Sequence, residues 1–335
     1  MKNIEKIDLF NFDLEIGKQK AYLALSYQVF GPPIGHAPIV VVNHSLTGNS
    51  AVSGESGWWN GIVGKNKSID TDYFTVIVFN IPGNGYDNQA ENLIDNYRDF
   101  TVRDIARIFW EGLFYLKIET VFTVIGGSLG GAIAWEMTVL QPERIENLIP
   151  IATDWKATDW VIANVLIQDQ ILNNSDDPIV DARLHATLLY RTPEYVNQRF
   201  QRNKLDSSSI LQIENWLLDH GIQLKNRYRL AAYKLMNHLL KTNDITRNRK
   251  DFLAVAKTIQ SHIHLITIDS DCLFIAEESR KTYHGLKNIK PDVFYHQIQS
   301  IHGHDAFLIE FNQLSDILKP IFLNHKTQNY VSAQN

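Results

Sequence analysis

Cysteine is nearly missing from this chain: Cys272 stands alone among 335 residues. No intrachain disulfide framework can form, so a stapled secreted scaffold is excluded, and a reducing, cytoplasmic setting is expected. Nor is there an apolar run near the roughly 20 residues that a bilayer-crossing helix needs, and no membrane partner is expected. The first residues, Met1 to Lys6, mix charges and lead into no apolar segment, so no signal peptide is expected. Positive charge is not in excess either; the formal net charge is -5, without a basic stripe, which argues against nucleic acid as a partner. Internal repeats and low-complexity blocks are absent. Only the last stretch, 326–335, is polar and unpatterned, and it is expected to fray.

What remains is an ordinary globular composition, 44% hydrophobic and 21% charged, with length enough for a large core. Residues 7–31 alternate as two strands of an antiparallel pair. Buried strands are expected over 38–43, 73–80, 121–127, 145–153, 263–268 and 292–299, and helices over 101–116, 128–140 and 305–323. Strands alternating with helices at this spacing predict an α/β fold with a mostly parallel, doubly wound sheet. The rhythm breaks once: nearly everything over 155–260 reads helical before strands resume. The expected organisation is therefore a core domain of residues 1–154 and 261–325 with a helical lid, 155–260, inserted over the sheet's C-terminal edge, where open α/β sheets bind ligands.

One segment organises the chain. Val121 to Gly127 is an unbroken apolar run that ends in Gly126-Gly127-Ser128-Leu129-Gly130-Gly131 and continues as a helix. Strand, G-x-S-x-G and helix make a nucleophile elbow, in which a turn too tight for flanking side chains lifts the serine hydroxyl clear of the sheet. The helix start behind it favours a developing oxyanion. A serine hydroxyl needs a base, and a base needs an orienting carboxylate. Past the strand 263–268 lies Asp271, and past 292–299 lies His304, giving the order Ser, Asp, His that α/β-hydrolase folds use. At this level Asp269 and His302 remain rivals. The alternating pairs His262/His264 and His302/His304 lack a third ligand, and no metal is expected. For the oxyanion, the amides of Leu129 and of Leu46, in the loop His44-Ser45-Leu46-Thr47-Gly48, are the candidates.

These residues together resemble the homoserine O-acetyltransferase family of α/β-hydrolase-fold enzymes. The resemblance rests on His44-Ser45-Leu46-Thr47-Gly48, the double tryptophan of Gly57-Trp58-Trp59-Asn60-Gly61, Thr101-Val102-Arg103-Asp104, and the elbow. Ser270-Asp271-Cys272-Leu273-Phe274 and Gly303-His304-Asp305-Ala306-Phe307 complete it, in order, and favour Asp271 and His304 over their rivals. The resemblance implies acetyl transfer from acetyl-CoA, as co-substrate and not a resident cofactor, to the hydroxyl of L-homoserine through an acyl-serine, in methionine synthesis. It further implies that Arg183, Tyr190 and Asp305, with Thr47, line the amino-acid subsite, and that the protein is a homodimer through its lid. Departures at Asn49-Ser50-Ala51, at Ala132-Ile133 and in the shortened lid around 173–181 fall on the rim. They leave a succinyl donor, a serine acceptor, or an esterase using water as the alternatives.

Overall fold

The computed structural model describes residues 4–205 and 209–332, from residue 324 onward by backbone alone. Strand β1 (Glu5–Asp13) pairs antiparallel with β2 (Gln19–Phe30), as the alternation predicts. Then come β3 (Ile39–Asn43), a two-stranded ribbon of β4 (Val63–Gly64) and β5 (Ile69–Asp70), and β6 (Thr75–Phe79). Helix α1 (Val102–Tyr115) starts at a capping box in which Thr101 and Asp104 satisfy each other's amides. The strand β7 (Val121–Gly127) feeds α2 (Leu129–Leu140), and β8 (Ile145–Ile151) follows.

The main sheet has eight strands in the order β1-β2-β6-β3-β7-β8, then β9 (His262–Ile268) and β10 (Val293–Ile298). From β6 to β10 all neighbours are parallel. The chain runs from β3 outward to β6 and then crosses to β7 on β3's other side. The switch point therefore lies between β3 and β7, where such sheets open a crevice at their C-terminal edge. The central strands are buried on both faces. Val41, Ile77 and Val124 point to one core, shared with α1 and α2, while Val40, Val42, Val76 and Ile125 point to the other. The second core is closed by Trp59 and by Leu314, Leu318 and Phe322 of α10 (Phe311–Ser332).

Between β8 and β9 lie six helices: α3 (Asp159–Asn174), α4 (Pro178–Tyr190), α5 (Pro193–Phe200), α6 (Gln212–Arg227), α7 (Leu230–Thr242) and α8 (Phe252–Ala256). Their place over the C-terminal edge of the sheet follows from contacts: the Tyr228 hydroxyl donates to the Leu46 carbonyl at 2.8 Å, and Thr192 Oγ1 to that of Ile301 at 2.5 Å. The return from lid to core is fastened by a buried ion network. Arg103 reaches Glu136 at 3.0 Å and Glu15 at 2.6 Å, and donates to the carbonyls of Asp244 and Arg247. Arg249 completes it, 3.0 Å from Glu136.

Two expectations need correction. The last helix is not continuous over 305–323: a 3-10 turn, Gly303–Leu308, precedes α10, which runs on to Ser332. Of the stretch expected as a tail, 333–335 lie outside the described residues. And α9 (Ala276–Lys287) was not foreseen. Its buried face is Ala276, Ser279, Thr282 and Leu286, half of it polar, so a helical spacing exists without an apolar pattern to reveal it. Among the described residues no helix is long and apolar enough to cross a membrane, and no group of three or more His, Cys, Asp or Glu could hold a metal ion.

Candidate active site

Ser128 sits at the junction of β7 and α2 with φ 57° and ψ −124°, a conformation costly for a residue with a Cβ. Its neighbours explain how the turn is tolerated. A Cβ on Gly130 would lie 2.2 Å from the Asn43 carbonyl oxygen at the end of β3, and one on Gly126 would lie 2.5 Å from the backbone of Gly130. The glycines thus permit the elbow to press against β3 and its following loop, while the Ser128 amide donates to Ile151 of β8 at 2.9 Å. Ser128 is buried, at the start of α2, where the helix dipole favours negative charge.

Asp271 and His304 meet at the ends of β9 and β10. His304 Nδ1 donates to Asp271 Oδ2 at 2.7 Å, and the other carboxylate oxygen accepts from the amides of Leu273 and Phe274 at 2.8 and 2.9 Å. The pair is almost fully buried, with side-chain exposures of 0% for Asp271 and 5% for His304. Burial disfavours the imidazolium, but the charge and hydrogen bond of Asp271, aided by Asp305, outweigh it and hold His304 above its ordinary pKa. The rivals do other work. Asp269 accepts from the Ser300 amide at 2.9 Å, and His302 stacks edge-on against Tyr195. One ring joins histidine and elbow: Phe307 packs edge-on against His304, and a Cβ on Gly127 would lie 2.5 Å from it. The Ser128 hydroxyl caps nothing in α2, and the only side-chain hydrogen bond of His304 among the described residues is to Asp271; serine–imidazole bonds of this kind tighten in the reacting complex.

Two amides flank this junction, and neither donates to another group among the described residues: Leu129, the first residue of α2, and Leu46, in the loop after β3. The tryptophan pair braces that region. Trp58 and Trp59 stack at 5.2 Å; Trp58 donates to the Asn49 carbonyl at 2.8 Å and Trp59 to that of Phe307 at 3.0 Å.

On the lid side, Tyr190 faces His304 with ring centroids 5.5 Å apart, and burial pushes its hydroxyl up to about 12. Arg183 lies over the Tyr190 ring at 5.5 Å, and among the described residues its guanidinium makes no ion pair with an acidic side chain. Asp305 is engaged by Arg191 at 3.1 Å, while Arg191 Nε and Nη1 are buried without a partner. Thr47 gives its carbonyl to Arg227 Nη1 at 3.1 Å. Burial first, then the nearby charge of Arg183, holds Arg227 below its usual range. A cavity of only about 20 Å³ lies between Leu46, Leu273 and the lid residues Tyr190, Val165 and Tyr233. Sequence reasoning did not single out Arg191, Arg227, Tyr228 or His44. Only the adjacency of Arg191 to Tyr190 and of His44 to the loop it begins offered any signal.

The sequence profile of the alpha/beta hydrolase fold matches residues 38–179. Over 93% of its length the chain is 31% identical to a homoserine O-acetyltransferase of Cyclobacterium marinum, of which 93% is covered. Two solved structures share the fold: a homoserine O-acetyltransferase from Bacillus anthracis (TM-score 0.87, 18% identity, 96% of this chain and 97% of that one) and esterase E22 (TM-score 0.86, 16% identity, 96% and 100%). At these identities the likeness of the structures speaks for the fold alone.

Proposed function

The chain belongs to the homoserine O-acetyltransferase family, and on that premise we propose that it moves an acetyl group from acetyl-CoA to the hydroxyl of L-homoserine through an acyl-Ser128 intermediate. The observation that carries the mechanism is the buried Asp271–His304 pair, joined to the elbow through the ring of Phe307. His304, oriented by Asp271, takes the Ser128 proton as Oγ attacks the thioester carbon. The carbonyl oxygen, carrying the negative charge, is met by the amides of Leu46 and Leu129. As the tetrahedral centre collapses, His304 returns the proton to the departing CoA sulfur. In the second half the acceptor hydroxyl gives its proton to His304 and attacks the acyl carbon; the bond to Ser128 Oγ breaks, and His304 returns the proton to Oγ.

The free guanidinium of Arg183 supports a carboxylate-bearing acceptor, since a planar fork of N–H donors matches a carboxylate. Asp305, beside His304, supports an α-ammonium, with Arg191 as the group that now shares its charge. Exposed Leu166, Ile167, Leu188, Leu218 and Ile222 on lid helices support a homodimer through the lid, and the single cysteine supports a cytoplasmic location. The test mixes the protein with acetyl-CoA and follows CoA release with and without L-homoserine. One equivalent of CoA with a trapped acetyl mass on Ser128 is expected without acceptor, and release beyond it that requires homoserine. Equal release without any acceptor would make water the acceptor and the protein an esterase.

A further inference from the structure

The oxyanion loop carries a histidine that the reaction does not consume. His44 is buried, its exposure 1%. Its Nε2 receives the Ile81 amide at 3.0 Å and faces the Asn84 amide nitrogen at 3.4 Å. A nitrogen that accepts an N–H carries no proton of its own, so the proton resides on Nδ1. Nδ1 lies 2.8 Å from the Ser45 carbonyl oxygen and therefore donates to it. That oxygen also accepts from the Gly48 amide at 2.9 Å. In a trans peptide the C=O and the N–H point opposite ways, and the N–H of the Ser45 peptide belongs to Leu46. On the other side of Leu46, the Tyr228 hydroxyl of the lid holds the next carbonyl at 2.8 Å. Burial keeps His44 neutral, its pKa lowered to about 4, so one tautomer serves throughout the working range.

We propose that His44 is a positioning residue that fixes the Ser45–Leu46 peptide so that the Leu46 amide faces the acyl oxygen, with Tyr228 securing the same residue from the lid. The inference rests on reading Ser128 as the acylated nucleophile. Without the His44 donor, the Ser45 carbonyl keeps only the Gly48 amide, and the peptide more readily rotates to present its carbonyl where the amide should be; a carbonyl repels an oxyanion.

Two substitutions divide the two nitrogens. His44→Asn places an amide N–H near Nδ1 and keeps the bond to Ser45; His44→Gln places its amide near Nε2 and keeps only the bond to Ile81. The full chain is acylated with p-nitrophenyl acetate in single-turnover experiments, with Ser128→Ala as control and thermal midpoints measured in parallel. The asparagine variant is expected to acylate within about five-fold of the parent. The glutamine variant is expected to be roughly 100-fold slower, with the ester concentration at half-saturation unchanged. Equal rates in the two variants, or a glutamine variant at parental rate, would overturn the assignment. If either variant fails to fold, Tyr228→Phe carries the test: a roughly ten-fold slower acylation at unchanged half-saturation supports it, and a parental rate overturns it. Nitrophenol release that survives Ser128→Ala would strike instead at the nucleophile reading.

Discussion

The two rims of this site are built on opposite terms. On the sheet rim every acceptor of Asp271 is filled, by His304, Leu273 and Phe274, and the pair is sealed from water. On the lid rim, Arg183 has an aromatic ring but no acid, and Arg191 keeps two buried nitrogens without partners. Buried polar groups in folded proteins are normally satisfied, and exceptions call for an explanation. The sheet rim has its charges arranged in advance, as transition-state stabilisation requires. The lid rim holds charges that an anionic acceptor would complete.

The largest effect should come from the sheet rim. Asp271→Asn is expected to lower kcat by about 10⁴, read in the full transfer assay. It should also move the pH profile. The catalytic imidazole must be neutral to act, and in the parent it is held above its ordinary value, so the acid limb of kcat/KM should lie above about 6.5. With the carboxylate gone, burial is left to favour the neutral ring, and that limb should shift downward. An unmoved limb would mean that another group sets His304.

The next effect concerns how the rims are held together. Glu136 is fully buried and faces both Arg103 and Arg249, the latter on the lid's return to β9. Glu136→Gln leaves two guanidinium groups short of a counter-charge. It should cost roughly 3–5 kcal/mol of stability in urea unfolding, while the acylation rate of the folded fraction stays within a few-fold of the parent. A variant that unfolds like the parent would show that the network is dispensable and the lid is held by packing alone.

Legibility follows the same division. The sheet rim could be read because each of its residues follows the end of a buried strand, and strand ends are marked by apolar runs meeting glycine, serine or aspartate. The choice of Asp271 over Asp269 came from the resemblance, since both stand at one strand end; in the structure Asp269 takes up the Ser300 amide. The lid rim was opaque because a guanidinium on a helix has the same local signature whether it faces solvent or a site. Arg227, the last residue of α6, passed unnoticed for that reason. His44 was hidden differently: its role depends on which nitrogen carries the proton, and that is set by Ile81 and the Asn84 side chain, distant in sequence.

The lid rim's own test is Arg183→Lys. Lysine keeps the charge but loses the planar fork. KM for homoserine should rise about 10–100-fold, as for loss of a charge-assisted bidentate contact worth ~1.5–3 kcal/mol, with burst acylation by acetyl-CoA unchanged. Acylation that fell in parallel would tie Arg183 to the donor half of the reaction and erase the contrast between the rims.

The remaining effect lies where the rims join. Asp154, just beyond β8 and at the first lid hinge, is buried; Oδ1 accepts from Ser279 at 3.0 Å, and Oδ2 is buried without a partner. Its carbonyl accepts from Asn243 at 2.7 Å, fastening the hinge. Burial chiefly, countered by Ser279 and aided by the charges of Glu278 and Asp271, raises its pKa from 3.8 to about 7. The folded state thus holds this proton more tightly than the unfolded chain. The stability gained is complete below about pH 4 and is lost as pH rises to about 7, with a plateau above. Asp154→Asn stays neutral at every pH and escapes the loss. The variant should match the parent at pH 4 and exceed it at pH 8, by up to about 4 kcal/mol in urea unfolding. If the two curves ran parallel from pH 4 to 8, Asp154 would be ionised throughout, and its unfilled oxygen would have to be met by water and not by a proton.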